Sequence, residues 1–241
     1  MTSSQRRAAE LVSALGAVRA RISAACAESE RDPREITLIA VTKTRPAADI
    51  AVLGEVGVRD IGESKDQEAR AKLAELAQLP GPSNPLRWHL VGRLQTNKAR
   101  SVASYAHAVH SVDRPKLARA LADALARAER DPLEVFVQVS LDGDPDRGGV
   151  APEDVGELAD TIAGHAALRL RGVMAVPPMG SDPAIEFARL GEIADRLRER
   201  HPNADAISAG MSDDLEAAVR NGSTHVRVGT ALLGRRDQVL G

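Results

Sequence analysis

Cysteine is nearly missing from this chain: Cys26 is the only one in 241 residues. An intrachain disulfide and a cysteine-built metal centre are therefore excluded. Aromatic residues are almost as scarce, at 2%, which leaves little surface on which nucleic-acid bases could stack. Positive charge is not in excess, since 32 Lys and Arg face 34 Asp and Glu for a net charge of −2. The electrostatic footprint of a nucleic-acid binder is absent. Long apolar runs are missing too. The N-terminal "MTSSQRRAAELVSALGAVRARISAACAESERDP" contains nothing long enough for a signal peptide or a membrane span. Its Arg- and Ser-rich character is interrupted by Glu10, Glu28 and Glu30, unlike an organellar targeting peptide. A cytoplasmic protein with no nucleic-acid or membrane partner is expected. Neither a Walker A loop nor a G-x-G-x-x-G turn is present, so the common nucleotide-binding frames are disfavoured.

What is present is an ordinary globular composition, 43% hydrophobic and 27% charged. The length suits one domain spanning 1–241, with an N-terminal helix within 1–32 and the remaining fold over 36–234. Leu11, Leu15, Val18 and Ile22 recur at helical spacing among Arg and Glu, which predicts an amphipathic helix opened by a Ser or Thr cap and stopped before Pro33.

Beyond Pro33, short apolar runs alternate with amphipathic segments. Strands are expected at 36–41, 58–63, 87–92, 107–112, 134–141, 169–176, 205–210 and 224–229. Segments rich in Ala, Leu, Glu and Arg, such as 115–130 and 183–200, lie between them. Repeated β–α order implies a parallel sheet. Eight such units in about 200 residues favour a closed (β/α)8 barrel, an α/β TIM barrel with an extra N-terminal helix, over an open sheet.

A barrel of this kind places its functional groups at the C-terminal ends of the strands. Lys43 follows the first strand in "LIAVTKTRP". An ammonium ringed by apolar barrel walls loses solvation, which favours the neutral, nucleophilic amine. Such an amine condenses with aldehydes to form a Schiff base. A phosphate-bearing aldehyde would also need an anion site. Ser212 opens "SDDLEAAVRNG" and is either a plain N-cap or a phosphate contact. The Gly229-Thr230 turn offers further N–H donors with little obstruction.

The segments "LIAVTKTRP", "IGESKDQEA", "WHLVGRLQTNK", "GVMAVPP" and "GMSDDLEAAVRNGSTHVRVGTALLG", in this order over about 200 residues, resemble the pyridoxal phosphate homeostasis protein family, whose fold is like the N-terminal domain of alanine racemase. The resemblance implies a barrel with pyridoxal 5′-phosphate bound to a lysine. Carried over position by position, it makes Lys43 the Schiff-base lysine and gives the phosphate to Ser212 and the Gly229-Thr230 backbone. Arg227 would lie against the pyridine nitrogen, and His89 and Met211 would line the pocket. Three positions depart from the family pattern: Ser64 stands where Asn is usual, Ala209 where Met is common, and Arg147 where Lys is frequent.

Two functional classes follow. An arginine beside the pyridine nitrogen disfavours its protonation and weakens the electron sink that carbanion chemistry uses. The related racemases add a tyrosine from a second domain, whereas the one tyrosine here, Tyr105, is expected at the wrong end of the barrel, and no second domain is expected after residue 241. A monomeric carrier that holds the cofactor and releases it to apo-enzymes is therefore the leading expectation. The alternative is an amino-acid racemase or related enzyme using the same lysine. Two metal-like patterns are weak. Asp142, Asp144, Asp146 and Glu153 have EF-hand spacing, but Arg147 replaces the required Gly and Pro145 stiffens the turn. His107 and His110 are expected on opposite faces of one strand. Lys65 and Lys98 are read as solvated.

Overall fold

Each of the eight apolar runs forms a strand, and each strand is followed by a helix or turn that returns the chain to the same end. The computed structural model describes residues 2–79, 85–128, 130–144 and 146–234; Pro145 and the residues after 234 lie outside it. The strands are β1 (Thr37–Val41), β2 (Asp60–Glu63), β3 (Arg87–Leu90) and β4 (Ala108–Val112), then β5 (Leu133–Gln138), β6 (Leu168–Met174), β7 (Ala206–Ser208) and β8 (His225–Val228). They pair in parallel and in chain order, and β1 against β8 closes the barrel with Thr37 opposite His225 and Ile39 opposite Arg227. This is the (β/α)8 barrel expected from the sequence.

The helices are α1 (Ser3–Glu28), α2 (Ala47–Glu55), α3 (Asp66–Leu76), α4 (Ala99–Ala103) and α5 (Pro115–Ala126), followed by α6 (Val155–Ala163), α7 (Pro183–Arg200), α8 (Leu215–Arg220) and α9 (Thr230–Leu233). Outward-facing strand residues such as Ala40, Ile61, Val109, Val135, Val173 and Val226 are fully buried beneath this ring. Most of the apolar core thus lies between sheet and helices, where each buried Leu, Ile or Val side chain contributes roughly 1.5–3 kcal/mol.

α1 begins at a capping box: the Thr2 hydroxyl accepts the Gln5 N–H, and Gln5 Oε1 accepts the Thr2 N–H. It buries Leu11, Leu15, Val18, Ile22, Ala25 and Cys26, the stripe predicted from spacing. Three arginines along the chain then tie it to the last third of the barrel. Arg7 pairs with Asp49 at 2.7 Å and donates to the Leu233 carbonyl at 3.0 Å. Arg21 pairs with Glu216 at 2.5 Å and donates to the Ser212 carbonyl at 2.9 Å. Arg31, just beyond the helix, donates to the carbonyls of Val219 and Ser223 at 2.7 and 2.8 Å. The apolar stripe sets where α1 lies; the arginines hold the backbone of the loops after β7 and β8.

The inside of the barrel differs from the usual stack of aliphatic layers. Along with Ile39, Phe136 and Met174, it buries Asp60, His89, His110, Ser208, His225 and Arg227. His107 and His110 both approach His89, with ring centroids 5.6 and 5.2 Å away. They are not on opposite faces, because β4 starts only at Ala108 and His107 precedes the alternating backbone.

Candidate functional site

At the C-terminal mouth the first element is the turn carrying Lys43. Val41 ends β1, and Lys43 stands exposed two residues on. The apolar walls expected around this amine are not there; the polar groups beneath the turn define its surroundings. Thr44 has φ of 64°, a left-handed conformation that a β-branched residue adopts only when its neighbours enforce it. They do so from both sides. Lys72, buried on α3, donates to the Thr42 carbonyl and to Glu63 Oε1, both at 2.6 Å, and to Glu68 Oε1 at 3.0 Å. Glu68 in turn accepts the Thr44 N–H. The Thr42 hydroxyl donates to Glu63 Oε1 at 2.6 Å. Burial raises the Glu63 carboxyl above its ordinary value even though Lys72 and Thr42 bond to it. The Lys43 turn is therefore pinned at residues 42 and 44, which leaves Lys43 itself at the apex.

The neighbouring strand, β8, places Arg227 on the inside, in register with Ile39 of β1. Nη1 donates to the carbonyl and hydroxyl oxygens of Ser208, both at 2.7 Å, and Nη2 donates to the Ala175 carbonyl at 3.0 Å. Those bonds use three of the five guanidinium N–H donors, leaving two without a partner among the described residues. Burial lowers its pKa to about 10, so the group stays charged at neutral pH.

Ser212 does not open a helix. α8 starts at Leu215 with Asp214 as its N-cap, and the Ser212 hydroxyl instead accepts the Ala231 N–H at 3.1 Å. This bond joins the loop after β7 to the start of α9, so Ser212 and the Gly229-Thr230 turn come together. At Gly229 a Cβ would sit 3.3 Å from the Val41 carbonyl oxygen, so the missing side chain lets this backbone lie against the end of β1. Met211 is part-exposed beside them, and its N–H donates to Asp214 at 2.5 Å.

His89 is not at this mouth. Its Nε2 lies 2.8 Å from Asp60 at the start of β2, and its Nδ1 lies 2.9 Å from His110. It sits a layer down, inside the barrel. Ser64 lines a cavity of about 910 Å³ between the β2, β3 and β4 loops, together with Lys65 and Lys98. Arg147 Nη1 pairs with Asp142 at 2.7 Å. Its Nη2 donates to the carbonyls of Val176 and Pro177 at 2.9 and 2.7 Å, tying the β5 loop to the loop after β6. Tyr105 lies outside the barrel, edge-on to Trp88 at 6.5 Å. Burial and the nearby Asp66 carboxylate push its phenol above the ordinary value. Among the described residues no group of three or more His, Cys, Asp or Glu could hold a metal ion, and no helix is long and apolar enough to cross a membrane.

Sequence alone gives no partner to Glu63, Glu68 and Lys72 beneath the Lys43 turn, nor to Asp60 and Ser208 within the barrel, and it reads His110 only as one of a weak metal-like pair. The alternation in "DIGE", "AVHSV" and "AIS" carries the barrel set, once the inward faces of several strands are superimposed.

A barrel with an amine, a buried guanidinium and a hydroxyl–amide pair converging on its C-terminal mouth defines an alanine-racemase-type barrel. Residues 14–237 match the family "Alanine racemase, N-terminal domain". The chain is 47% identical over 243 residues to the pyridoxal phosphate homeostasis protein of Mycobacterium tuberculosis, covering 95% of this chain and 94% of that one. It belongs to the pyridoxal phosphate homeostasis protein family. Among solved structures, PipY of Synechococcus elongatus with PLP bound is 35% identical with a TM-score of 0.77, over 88% of this chain and all of that one (100%). Alanine racemase of Clostridium difficile, at 16% identity and a TM-score of 0.67, shares the fold; 95% of this chain covers 58% of the racemase.

Proposed function

We propose that this protein binds pyridoxal 5′-phosphate at the C-terminal mouth, with Lys43 holding it as a Schiff base, and serves cofactor homeostasis by storing it and delivering it to apo-enzymes. The observation that carries this reading is the convergence of the Lys43 turn, Arg227 and the Ser212–Ala231 pair on one mouth, in a chain whose relatives carry the cofactor's name. The donor set fits the cofactor: an exposed amine for the aldehyde, a charged guanidinium with spare donors for the ring nitrogen, and Ser212 with the Gly229-Thr230 backbone for the phosphate. Met211 borders the same space. The bound cofactor supplies an aldehyde carbon that an amine can condense with, losing water, and a ring that can withdraw electrons.

The residues favour holding over catalysis. Arg227 remains a charged donor, so the ring nitrogen beside it gains no proton from this chain. Tyr105 is sealed outside the barrel and offers no second acid or base at the mouth. The protein acts as a cytoplasmic monomer on this reading. Lys43→Ala should lose the visible absorbance of the loaded protein, and borohydride should then trap no cofactor on the polypeptide. A variant that stays yellow and traps the wild-type amount would overturn the assignment of Lys43.

A further inference from the structure

We propose that Asp60, His89, His110 and Ser208 form a one-way hydrogen-bond relay through the barrel that fixes the orientation of Arg227 toward the cofactor, which makes them positioning residues of that site. The proposal rests on the cofactor reading above. The relay runs from Arg227 Nη1 to Ser208 Oγ at 2.7 Å and from Ser208 Oγ to His110 Nδ1 at 2.8 Å. It continues from His110 Nε2 to His89 Nδ1 at 2.9 Å and from His89 Nε2 to Asp60 Oδ1 at 2.8 Å. Ser208 and His110 are fully buried, and the other three members are at most 5% exposed. Buried polar groups persist in a core only when bonded. This row occupies space that barrels of this type usually fill with aliphatic side chains.

The chemistry of the end groups sets the direction. A guanidinium only donates, so Ser208 Oγ accepts from Arg227 and its single O–H points to His110. His110 Nδ1 must then accept. Burial holds the His110 ring far below its ordinary pKa, so it is neutral and carries its proton on Nε2. That proton is donated to His89 Nδ1, which places the His89 proton on Nε2, facing the Asp60 carboxylate. Burial would raise the Asp60 carboxyl, but the bonds from His89 and Arg87 outweigh it and hold it below the ordinary value. Every donor in this order meets an acceptor. In the reverse order the Ser208 O–H has no acceptor among the described residues, and a neutral His89 turns a lone pair toward a carboxylate at 2.8 Å.

The relay presents a Ser208 lone pair to Arg227 and prevents the hydroxyl from rotating its proton toward the guanidinium. With the Ser208 and Ala175 carbonyls, this fixes the guanidinium plane and aims its remaining donors. Asp60 provides the counter-charge at the far end of the barrel, where Arg87 also bonds it at 2.6 Å.

Two measurements on the full-length protein test this. In the cofactor-free protein at neutral pH, long-range 15N–1H correlation should find both His89 and His110 protonated at Nε2; a proton on His110 Nδ1 overturns the relay. In titrations with pyridoxal 5′-phosphate, His110→Leu should weaken binding about tenfold and shift the visible band, because Ser208 loses its acceptor. His110→Gln keeps an acceptor and a donor in the same order and should stay within about twofold of wild type. Equal affinity and an unmoved band for a folded His110→Leu protein would sink the proposal. If wild type takes up no cofactor, the cofactor reading falls, and the tautomers still decide whether the relay exists.

Discussion

Lys72→Met should destabilise the protein by about 3–5 kcal/mol, because removing the cation strands a buried carboxylate. Glu63 is 1% exposed and Lys72 5% exposed. Lys72 bonds Glu63 and Glu68 together with the Thr42 carbonyl. Among the described residues the second Glu63 oxygen, Oε2, has no hydrogen-bond partner, and the Thr42 hydroxyl that also bonds Oε1 carries no charge to replace the lysine's. Met fills similar volume, which makes the loss electrostatic rather than a cavity effect. The pH dependence separates the two. The Glu63 carboxyl is already raised in the folded state, so folding takes up a proton between its unfolded and folded pKa values. Its contribution to stability therefore falls as pH rises through that window. Without Lys72 the window widens upward. The penalty of Lys72→Met should be largest at pH 8 and shrink toward pH 5, as followed by urea denaturation. A penalty independent of pH would show that Glu63 does not carry the effect. The double variant Lys72→Met/Glu63→Gln should recover most of the loss. Because the same lysine pins Thr42 and, through Glu68, Thr44, the single variant should also loosen the Lys43 turn and weaken cofactor retention.

Gly172→Ala is expected to be as damaging by a purely steric route. Gly172 lies in β6 with φ of 149°, and a Cβ there would sit 1.8 Å from the Ala206 carbonyl oxygen of β7. That oxygen is backbone and cannot swing aside. The two strands must separate, with a loss of at least about 3 kcal/mol from overpacking and unfavourable φ together. The position matters beyond stability. β6 leads to the Ala175 carbonyl and β7 ends at Ser208, the two residues that hold Arg227. A lowered thermal midpoint accompanied by loss of cofactor binding is the expected result. A Gly172→Ala protein as stable as wild type would contradict the β6–β7 contact described above.

The fold was largely legible because its signals are local. Runs such as "ITLIAV" and "VRDIGE" announce strands by composition, and the structure shortens them by a few residues at most, as at β1 (Thr37–Val41) and β2 (Asp60–Glu63). The α1 stripe follows from spacing alone. The site was legible in part. Position in a barrel points to Lys43 and to Ser212, and the motif resemblance adds Arg227. What stayed hidden depends on contacts between distant segments. Nothing in "DQEARAKLAEL" distinguishes Lys72 from a surface lysine, since its partners lie on other turns of the barrel. Ser212 looks like a cap for the helix that follows it, yet its hydroxyl serves α9. His89 has the right strand for the mouth, but its height within the barrel is set by register against Gly62 and Ala108.

The ties made by Arg7, Arg21 and Arg31 also bear on synthesis. They join residues 226, 191 and 188 positions apart, and the β1–β8 ladder spans a similar separation. The apolar face of α1 leaves the ribosome well before its docking surface on α8 and α9 is made. Non-local closure of this kind slows folding and leaves the early chain exposed meanwhile. The loops after β7 and β8 that α1 holds, proposed above to take the phosphate, come together only when these distant segments meet. On the function proposed above, the cofactor site is therefore incomplete until the segment through α9 has been translated.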